Sequence, residues 1–262
     1  MIQYVEITSV LGRHVKLWRS LQKSRAARVE NSLFLAEGEH MTQEALRSGT
    51  VEALIVRADV LDKYRYMTDL ACVKVYLTST HVMEAVSETK TPQGVMALCR
   101  LPAPATVRGT HLVALDGVQD PGNVGTLIRT MDAAGFDTLL MDEKTADPYA
   151  GKTMRASMGG VFRVGLERCP DLCTTLRTLK NEGYAIWAGD LHGEPFFDRA
   201  PLADGRVCIV VGNEGAGVRP EILSLATHRL KLPMAGGAES LNAAVAGSIM
   251  IYDVLREQNT KK

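Results

Sequence analysis

The sequence predicts an α/β protein, with a small α/β domain followed by a larger domain built on a parallel sheet. From residue 111 onward, continuous apolar runs alternate with helical patterns, which is typical of a parallel sheet covered on both faces. The segment 101–110 is rich in proline and small residues and interrupts the apolar pattern. The length of 262 residues suits two compact domains. We therefore expect domains at 1–100 and 111–262, joined by a linker at 101–110.

The composition favours a globular protein of the cytoplasm. Hydrophobic residues make up 46% of the chain and charged residues 23%. No run approaches the ~20 apolar residues that cross a bilayer, and the first residues lack the basic-then-apolar order of a signal peptide. The 5 cysteines are scattered, which fits reduced thiols, and the close pair Cys169 and Cys173 lacks the pattern of a zinc site. We expect neither a membrane segment nor a metal site.

The first domain begins with a basic helical segment that contains no acidic residue. Its basic residues are Arg13, Lys16, Arg19, Lys23, Arg25 and Arg28. Lys16, Arg19 and Lys23 share one helical face by their spacing and could meet phosphates. On charge alone, a solvated outer face with Trp18 packed inward is the better interpretation, because the net charge of the chain is +0. Phosphate binding therefore needs independent support. Residues 32–56 then predict a strand, a helix and a strand.

The second domain alternates predicted strands with predicted helices. The strands are expected at 111–116, 137–142, 163–167, 184–190 and 206–215, and the helices at 126–135, 171–183, 220–228 and about 241–257. The last helix contains the small residues Ala243, Ala244, Ala246 and Gly247. Small residues permit close packing, which could be against another subunit.

Two glycine-rich segments fail as nucleotide-binding motifs. Gly151, Lys152 and Thr153 match the end of a phosphate-binding P-loop, but Ala146 stands where its first glycine is required. The segment 212–217 has the spacing G-x-x-G-x-G instead of the dinucleotide fingerprint G-x-G-x-x-G, and it comes late in the domain. Nucleotide hydrolysis and dinucleotide binding are therefore disfavoured.

Three polar or glycine-rich segments instead follow apolar strands, where ligands bind in parallel sheets. They are DGVQDPGNVGTLIRT at 116–130, VVGNEGAGVRPEI at 210–222 and LKLPMAGGAESLNAAVAGSIMIYDV at 230–254. In this order they closely resemble the SpoU (TrmH) family of RNA ribose methyltransferases, within the knotted SPOUT class. Tyr149 and residues 154–159 resemble the RASMG-type segment of that family. Residues 1–100 resemble its RNA substrate-binding domain, which is similar to a ribosomal RNA-binding protein.

The resemblance implies S-adenosylmethionine as methyl donor, a C-terminal trefoil knot, and a homodimer with its active site near the subunit interface. It also supplies the independent support for RNA contact by the basic segment. The expected RNA-binding residues are Lys16, Arg19, Lys23, Arg25 and Arg28. A sulfonium donor already carries positive charge, so the reaction needs no metal; the protein must align the 2′-hydroxyl and assist its deprotonation.

Arg129 matches the arginine of the family's first motif, which is assigned to the hydroxyl or to an adjacent phosphate. Because arginine is a poor base, we expect it to orient the substrate and stabilise charge. Asn123 and Glu214 match polar residues that help to place this arginine, and Glu214 is an expected ion-pair partner for it. Ser240 and Asn242 complete the expected catalytic set at the start of the last helix, where Ser240 is also an expected N-cap.

The family's backbone contacts to the donor carry over to Gly212, Leu232 and Leu241. Gly217 is expected to let the chain turn tightly around the ligand. An insertion-like GGAE at 236–239 departs from the third motif but removes none of the matched residues.

The sequence thus predicts an RNA 2′-O-ribose methyltransferase, with ribosomal RNA preferred over transfer RNA. Two other hypotheses stay open at this point. One is a knotted RNA-binding module without turnover, and the other is a methyltransferase that acts on an RNA base or a small molecule.

Overall fold

The computed structural model describes residues 3–71, 73–103, 109–202 and 205–260. Part of the predicted linker, 104–108, lies outside the described residues, as does Cys72. The strands are β1 (Tyr4–Ile7), β2 (Leu33–Glu37), β3 (Val51–Arg57), β4 (Lys74–Thr78), β5 (Val95–Arg100), β6 (His111–Asp116), β7 (Thr138–Met141), β8 (Gly165–Arg168), β9 (Ala185–Pro195), β10 (Val207–Gly212) and β11 (His228–Lys231). The helices are α1 (Arg13–Lys23), α2 (Arg25–Asn31), α3 (Glu39–Ser48), α4 (Leu61–Ala71), α5 (Thr80–Val86), α6 (Pro121–Ala134), α7 (Gly151–Ser157), α8 (Leu172–Asn181), α9 (Pro220–Leu225) and α10 (Ala243–Thr260).

The chain forms two compact units. One comprises Met1–Ala103 with Tyr149–Phe162, and the other comprises Pro104–Pro148 with Arg163–Lys262. This division differs from the predicted domains in one segment, because the segment that contains α7 groups with the first unit. The described helices include none with both the length and the apolar character that a bilayer span requires. In the same ranges, His, Cys, Asp and Glu do not cluster in groups of three or more that could hold a metal ion.

The first unit contains a mixed sheet in the order β1-β4-β3-β5-β2. Strands β1, β4 and β3 are parallel, and β5 runs antiparallel to both β3 and β2. Residues of α1 pack on this sheet in one hydrophobic core, in which Trp18 contacts the ring of Tyr76 edge-on at 5.2 Å between centroids. The predicted strand, helix and strand at 32–56 correspond to β2, α3 and β3.

The basic segment is two helices rather than one. Ser24 has an extended backbone, ends α1, and caps α2 by accepting a hydrogen bond from the amide of Ala27 at 3.3 Å. Arg28 is only 4% exposed and donates hydrogen bonds to the carbonyl oxygens of Leu21 and Gln22 in the last turn of α1. The prediction that Arg28 contacts RNA is therefore wrong, because its guanidinium is used inside the domain to satisfy the end of a helix.

The second unit contains an entirely parallel sheet in the order β11-β9-β10-β6-β7-β8, which confirms the predicted fold class. Alternate residues of a strand face opposite sides of a sheet. Leu112 and Val210 pack in a core with α8 and α9, whereas Val211 lies beside Gly247 of α10. Helices therefore cover both faces, and for this reason the central strands are apolar throughout.

Two of the small residues of α10 face the interior of the unit. A Cβ atom on Gly247 would lie 2.7 Å from Leu127 and 2.9 Å from Val211, and Ala244 is buried. They let α10 approach α6 and β10 closely, so the expectation that they face another subunit is wrong for these positions. The exposed apolar side chains of α10 are instead Val245 and Tyr252.

Arg199 fixes the C-terminal half of α10. Its guanidinium is 2% exposed, donates to Asp253 at 2.7 Å and Glu257 at 2.6 Å, and lies over the ring of Trp187 at 4.2 Å. Glu257 also accepts a hydrogen bond from the amide of Leu202 at 3.0 Å. Buried charges that are paired in this way are costly to leave without a partner.

Replacing Arg199 with Met should lower the free energy of unfolding by about 3 kcal/mol, since Glu257 and Asp253 lose their buried charged partner and Asp253 is left with the exposed Arg256. Arg256 provides the matched control, because it pairs with the same Asp253 but is 66% exposed. The R256M variant should lose no more than about 0.5 kcal/mol. Urea denaturation of both variants measures the difference, and equal losses would contradict the importance of the buried pair.

Candidate functional site

Loops at the carboxyl ends of neighbouring strands form the candidate site in the second unit. Strands β9, β10 and β6 lie side by side and parallel, so their carboxyl ends share one edge of the sheet. The residues after β6 lead into α6, those after β10 form a tight turn, and those after β11 lead into α10. This edge is where parallel sheets place their ligand sites.

The turn after β10 is stabilised by its own backbone and by Asn213. Asn213 and Gly217 exchange two backbone hydrogen bonds, at 3.0 and 2.9 Å. The Asn213 side chain accepts from the amides of Gly215 and Ala216 at 3.0 Å and donates to the carbonyl of Gly117 at 2.8 Å. Gly217 has a φ of 70°, a conformation that favours glycine. The turn is therefore rigid and attached to the end of β6.

Glu214 connects this turn to the start of α6. Its carboxylate accepts hydrogen bonds from the amides of Gln119 at 3.2 Å and Asp120 at 3.1 Å, and from the Asn123 side chain at 2.9 Å. Partial burial raises the pKa of the Glu214 carboxyl, but the hydrogen bonds from Asn123 and the two amides outweigh it and hold that pKa below its usual value. Glu214 is thus ionised at neutral pH, with its oxygens committed as acceptors.

Asn242 extends the network to α10. Its amide donates to the Asn123 side-chain oxygen at 3.0 Å. Its own oxygen accepts from the amides of Ala244 at 2.9 Å and Val245 at 3.2 Å, which makes Asn242 the N-cap of α10. The prediction that Ser240 caps this helix is therefore wrong, because the helix begins two residues later than expected. Three of the predicted catalytic residues, Asn123, Glu214 and Asn242, form one chain of hydrogen bonds.

The expected ion pair between Arg129 and Glu214 is absent from the structure. Arg129 is exposed on α6 and makes no hydrogen bond or ion pair with any of the described residues. Next to it, Thr130 shares a hydrogen bond of 3.0 Å with Ser248 of α10. Arg129 therefore projects from the surface near the junction of α6 and α10, outside the Glu214 network.

An ion pair that sequence reasoning missed lies behind the turn. Asp116, the buried last residue of β6, accepts from the backbone amide of Arg219 at 2.8 Å and from its guanidinium at 2.6 Å. Burial opposes the charge of Arg219, but the pairing with Asp116 raises the pKa of Arg219 above its usual value. The sequence signal for this ion pair was Asp116, an acidic residue at the end of a predicted apolar strand. Its partner, Arg219, is distant in the sequence.

A cleft of about 570 Å³ opens beside this network. All four predicted donor-binding residues, Gly212, Gly217, Leu232 and Leu241, line it. Glu214, Ser240 and Asn242 also line it, whereas Asn123 and Arg129 are not among its lining residues. Gly189, Asp190 and Leu191 form a further part of the wall that sequence reasoning did not assign.

The cleft suits a ligand of the size of S-adenosylmethionine, because small-molecule sites span roughly 300–1,000 Å³. A Cβ atom on Gly212 would lie 2.2 Å from the Gly217 backbone, so the chain folds back on itself here as closely as glycine permits. The backbone amides and carbonyls of the turn are therefore available at the cleft wall. This agrees with a donor that is recognised mainly through the main chain.

The predicted RNA-binding residues of the first unit differ in their exposure. Lys16, Arg19 and Lys23 are exposed on α1, and within the described ranges they have no hydrogen-bond or ion-pair partner. Arg25 is half-buried at the start of α2. Lys16, Arg19 and Lys23 form the α1 basic face, which is available for phosphates.

Replacing Gly212 with Ala should destabilise the second unit by about 1–3 kcal/mol, because the new Cβ would clash with main-chain atoms of the turn. Gly215 is the matched control, since a Cβ there would meet only the Asn213 side chain, at 3.6 Å. Thermal unfolding of G212A and G215A measures the contrast. Equal melting temperatures for G212A and the unchanged protein would contradict the close approach at Gly212.

Comparisons with known proteins identify the family of this chain. Residues 110–252 match the model of the SpoU rRNA Methylase family, and residues 13–97 match an MRM3-like substrate binding domain. The chain is 37% identical over 249 residues to the 23S rRNA (guanosine(2553)-2'-O)-methyltransferase RlmP of Bacillus subtilis, an alignment that covers 94% of this chain and 98% of that protein.

Two solved structures of similar proteins contain AdoMet. An rRNA methyltransferase from Sinorhizobium meliloti has a TM-score of 0.85 and 31% identity, covering 97% of this chain and 98% of that one. The SpoU methyltransferase AviRb from Streptomyces viridochromogenes has a TM-score of 0.84 and 25% identity, covering 95% of this chain and 100% of that one. The family model and the relative from Bacillus subtilis confirm the resemblance on which the sequence interpretation rests, and the chain belongs to the SpoU methylase family.

Proposed function

We propose that this protein transfers a methyl group from S-adenosylmethionine to the 2′-hydroxyl of a ribose in ribosomal RNA. The observation that carries this proposal is the chain of hydrogen bonds from Glu214 through Asn123 to Asn242 along the cleft. The name of the relative RlmP, a 23S rRNA guanosine 2'-O-methyltransferase, supports both the bond that is formed and the class of RNA.

The backbone around Gly212, Leu232 and Leu241 would hold the donor in the cleft. S-adenosylmethionine supplies the methyl group on a positively charged sulfur. Hydrogen bonds of the backbone and of Asn213 hold the turn after β10 in the cleft wall, so this turn would position the donor without rearranging its own dipoles.

Three groups would act on the acceptor ribose. The Ser240 hydroxyl lines the cleft and has no hydrogen-bond partner in the described part of the chain, so it is free to bond the 2′-hydroxyl. Arg129 would bind the adjacent phosphate and stabilise the negative charge that develops on the oxygen as its proton passes to solvent water. Glu214 has a lowered pKa and filled acceptor positions, so it would fix the loops rather than take the proton.

The proposal extends to a homodimer with the active site near its interface. Val245 and Tyr252 are exposed apolar residues on α10, and Arg129 is exposed on the adjoining α6. A partner packed on these two helices would bury the apolar side chains and place Arg129 at the interface. A trefoil knot in the C-terminal segments and a cytoplasmic location complete the proposal.

Replacing Arg129 with Ala should reduce methylation at least about a hundredfold while donor affinity stays within about twofold, because the guanidinium acts on the acceptor side. Transfer of labelled methyl to bacterial RNA stripped of its modifications measures the first quantity, and calorimetry with S-adenosylmethionine measures the second. Arg177→Ala removes an exposed arginine from α8 and should leave both unchanged. Full activity of R129A would remove Arg129 from the mechanism.

The same assay separates the rival functions. Nucleoside digestion and mass spectrometry place the methyl group on ribose or base, and fractionated RNA distinguishes ribosomal from transfer RNA. Label on a base would contradict the proposed reaction. Donor binding without transfer to any RNA class, including assembling ribosomes, would favour a module without turnover.

Replacing Lys16, Arg19 and Lys23 together with Ala should weaken RNA binding and reduce its salt dependence by about 2–3 in the slope of log K against log salt. Each phosphate contact releases a counter-ion from the RNA, so a protein that lacks the contact gains less affinity when salt is lowered. The difference in RNA affinity between the variant and the unchanged protein therefore grows as salt is lowered. Arg65→Ala removes a cation that is paired with Asp62 on α4 and should leave the slope unchanged. An unchanged slope in the triple variant would mean that the α1 basic face is a solvated surface.

A further inference from the structure

Strand β9 leaves the sheet near its middle. Ala188 pairs with Arg229 of β11, but the next pair along β11 joins Leu230 to Glu194. Residues 189–193 therefore have no counterpart in β11 and form a bulge, which we call the β9 bulge. Gly193 ends it, at a point where a Cβ atom would lie 2.3 Å from the carbonyl oxygen of Arg229. The strand thus rejoins its neighbour by an approach that only glycine allows.

One ion pair and one side-chain hydrogen bond hold the β9 bulge to β11. The Asp190 carboxylate accepts from the Arg229 guanidinium at 2.6 Å and from the amide of His192 at 3.0 Å. At the end of the bulge, His228 Nδ1 and Glu194 Oε1 are 2.6 Å apart. Burial works against ionisation of Asp190, but the His192 amide and Arg229 outweigh it, so the pKa of Asp190 lies below its usual value. Asp190 is therefore a charged anchor whose oxygens are already used.

Leu191, between Asp190 and His192, contributes an apolar side chain to the cleft wall. It lines the same cleft as Gly212, Leu232 and Leu241, and it is 50% exposed. A leucine that is half in water gains free energy when an apolar ligand surface covers it. The bulge is pinned on both sides of Leu191, so little conformational freedom remains to be lost on binding.

We propose that Leu191 is a donor-binding residue that packs against the adenosine half of S-adenosylmethionine, and that Arg229 is a positioning residue that holds it there through Asp190. The proposal rests on the proposed function. The adenosine half is assigned because its purine ring offers the donor's one broad apolar face, whereas the amino-acid end is a zwitterion that a leucine cannot satisfy.

Calorimetry with S-adenosylhomocysteine and with 5′-methylthioadenosine, which lacks the amino-acid end, tests the contact without requiring RNA. Leu191→Ala should weaken both ligands by about fivefold, since about half of a leucine side chain loses its apolar contact. Leu191→Met should stay within about twofold of the unchanged protein. Leu70→Ala, the same substitution at an exposed leucine of α4, should have no effect and serves as the matched control.

The role of Arg229 is tested by a double-mutant cycle. Arg229→Met should weaken both ligands by about threefold, and adding it to Leu191→Ala should cost less than the sum of the two, because the arginine acts through the leucine. Arg256→Met, which removes the exposed arginine of another arginine–aspartate pair, should leave affinity unchanged. Full additivity would overturn the positioning role.

Each remaining outcome is decisive. Unchanged affinity in L191A overturns the contact. Weakening confined to S-adenosylhomocysteine overturns the assignment to the adenosine half. Failure of the unchanged protein to bind either ligand would instead overturn the proposed function, and the contact with it.

Discussion

The hydrogen bonds received by Glu214 determine where the polar groups of the site lie. Its carboxylate binds the amides of Gln119 and Asp120, and Asp120 in turn caps α6 through the amide of Asn123 at 3.0 Å. Asn123 then orients Asn242, which caps α10. One ionised side chain on the turn after β10 therefore fixes the starts of two helices that come from distant parts of the sequence. The turn after β10 and the start of α10 also line the donor cleft, so its shape depends on this carboxylate.

The acids at the strand ends serve the same purpose as Glu214. Asp116 binds Arg219, and Asp190 binds Arg229. Asp142, which follows β7, accepts from the amides of Gly117 at 3.1 Å and Thr145 at 2.9 Å. Each carboxylate is used to hold a neighbouring loop, which leaves none of these three as an obvious base. Among the proposed catalytic residues, the Ser240 hydroxyl and the Arg129 guanidinium are the groups that have no partner in the described part of the chain.

The sequence predicted best those features that depend on local pattern. Continuous apolar runs located the parallel strands, and the resemblance of the segments after them to the SpoU family identified four residues that line the cleft. Features that depend on distant partners were missed. Helical periodicity placed Arg28 on a basic segment. It could not reveal that the guanidinium of Arg28 donates a hydrogen bond to a carbonyl oxygen in the last turn of α1. Likewise, Glu214 was paired with Arg129 by charge, although nearby amide donors satisfy it at less cost than an exposed ion pair. The β9 bulge has no signal in the alternation of apolar residues, because it depends on the register with β11.

The polar side chains of the proposed site fall into two sets: those that are hydrogen-bonded to other segments of the chain, and those that have no partner among the described residues. The donor part is rigid, because Asn213, Glu214 and Asn242 are fully used in holding the loops together. The proposed acceptor residue Arg129 lies about 9 Å further along the axis of α6 than Asn123 and is exposed. The side chain of a surface arginine has many rotamers, so its guanidinium holds no fixed position unless another contact restrains it. A second subunit on α6 and α10 would supply that restraint and would also exclude water from the guanidinium, strengthening its interaction with a phosphate. The proposed homodimer is thus what would turn an exposed cation into an oriented catalytic group, and RNA that reached the interface would meet Arg129 and the donor cleft together.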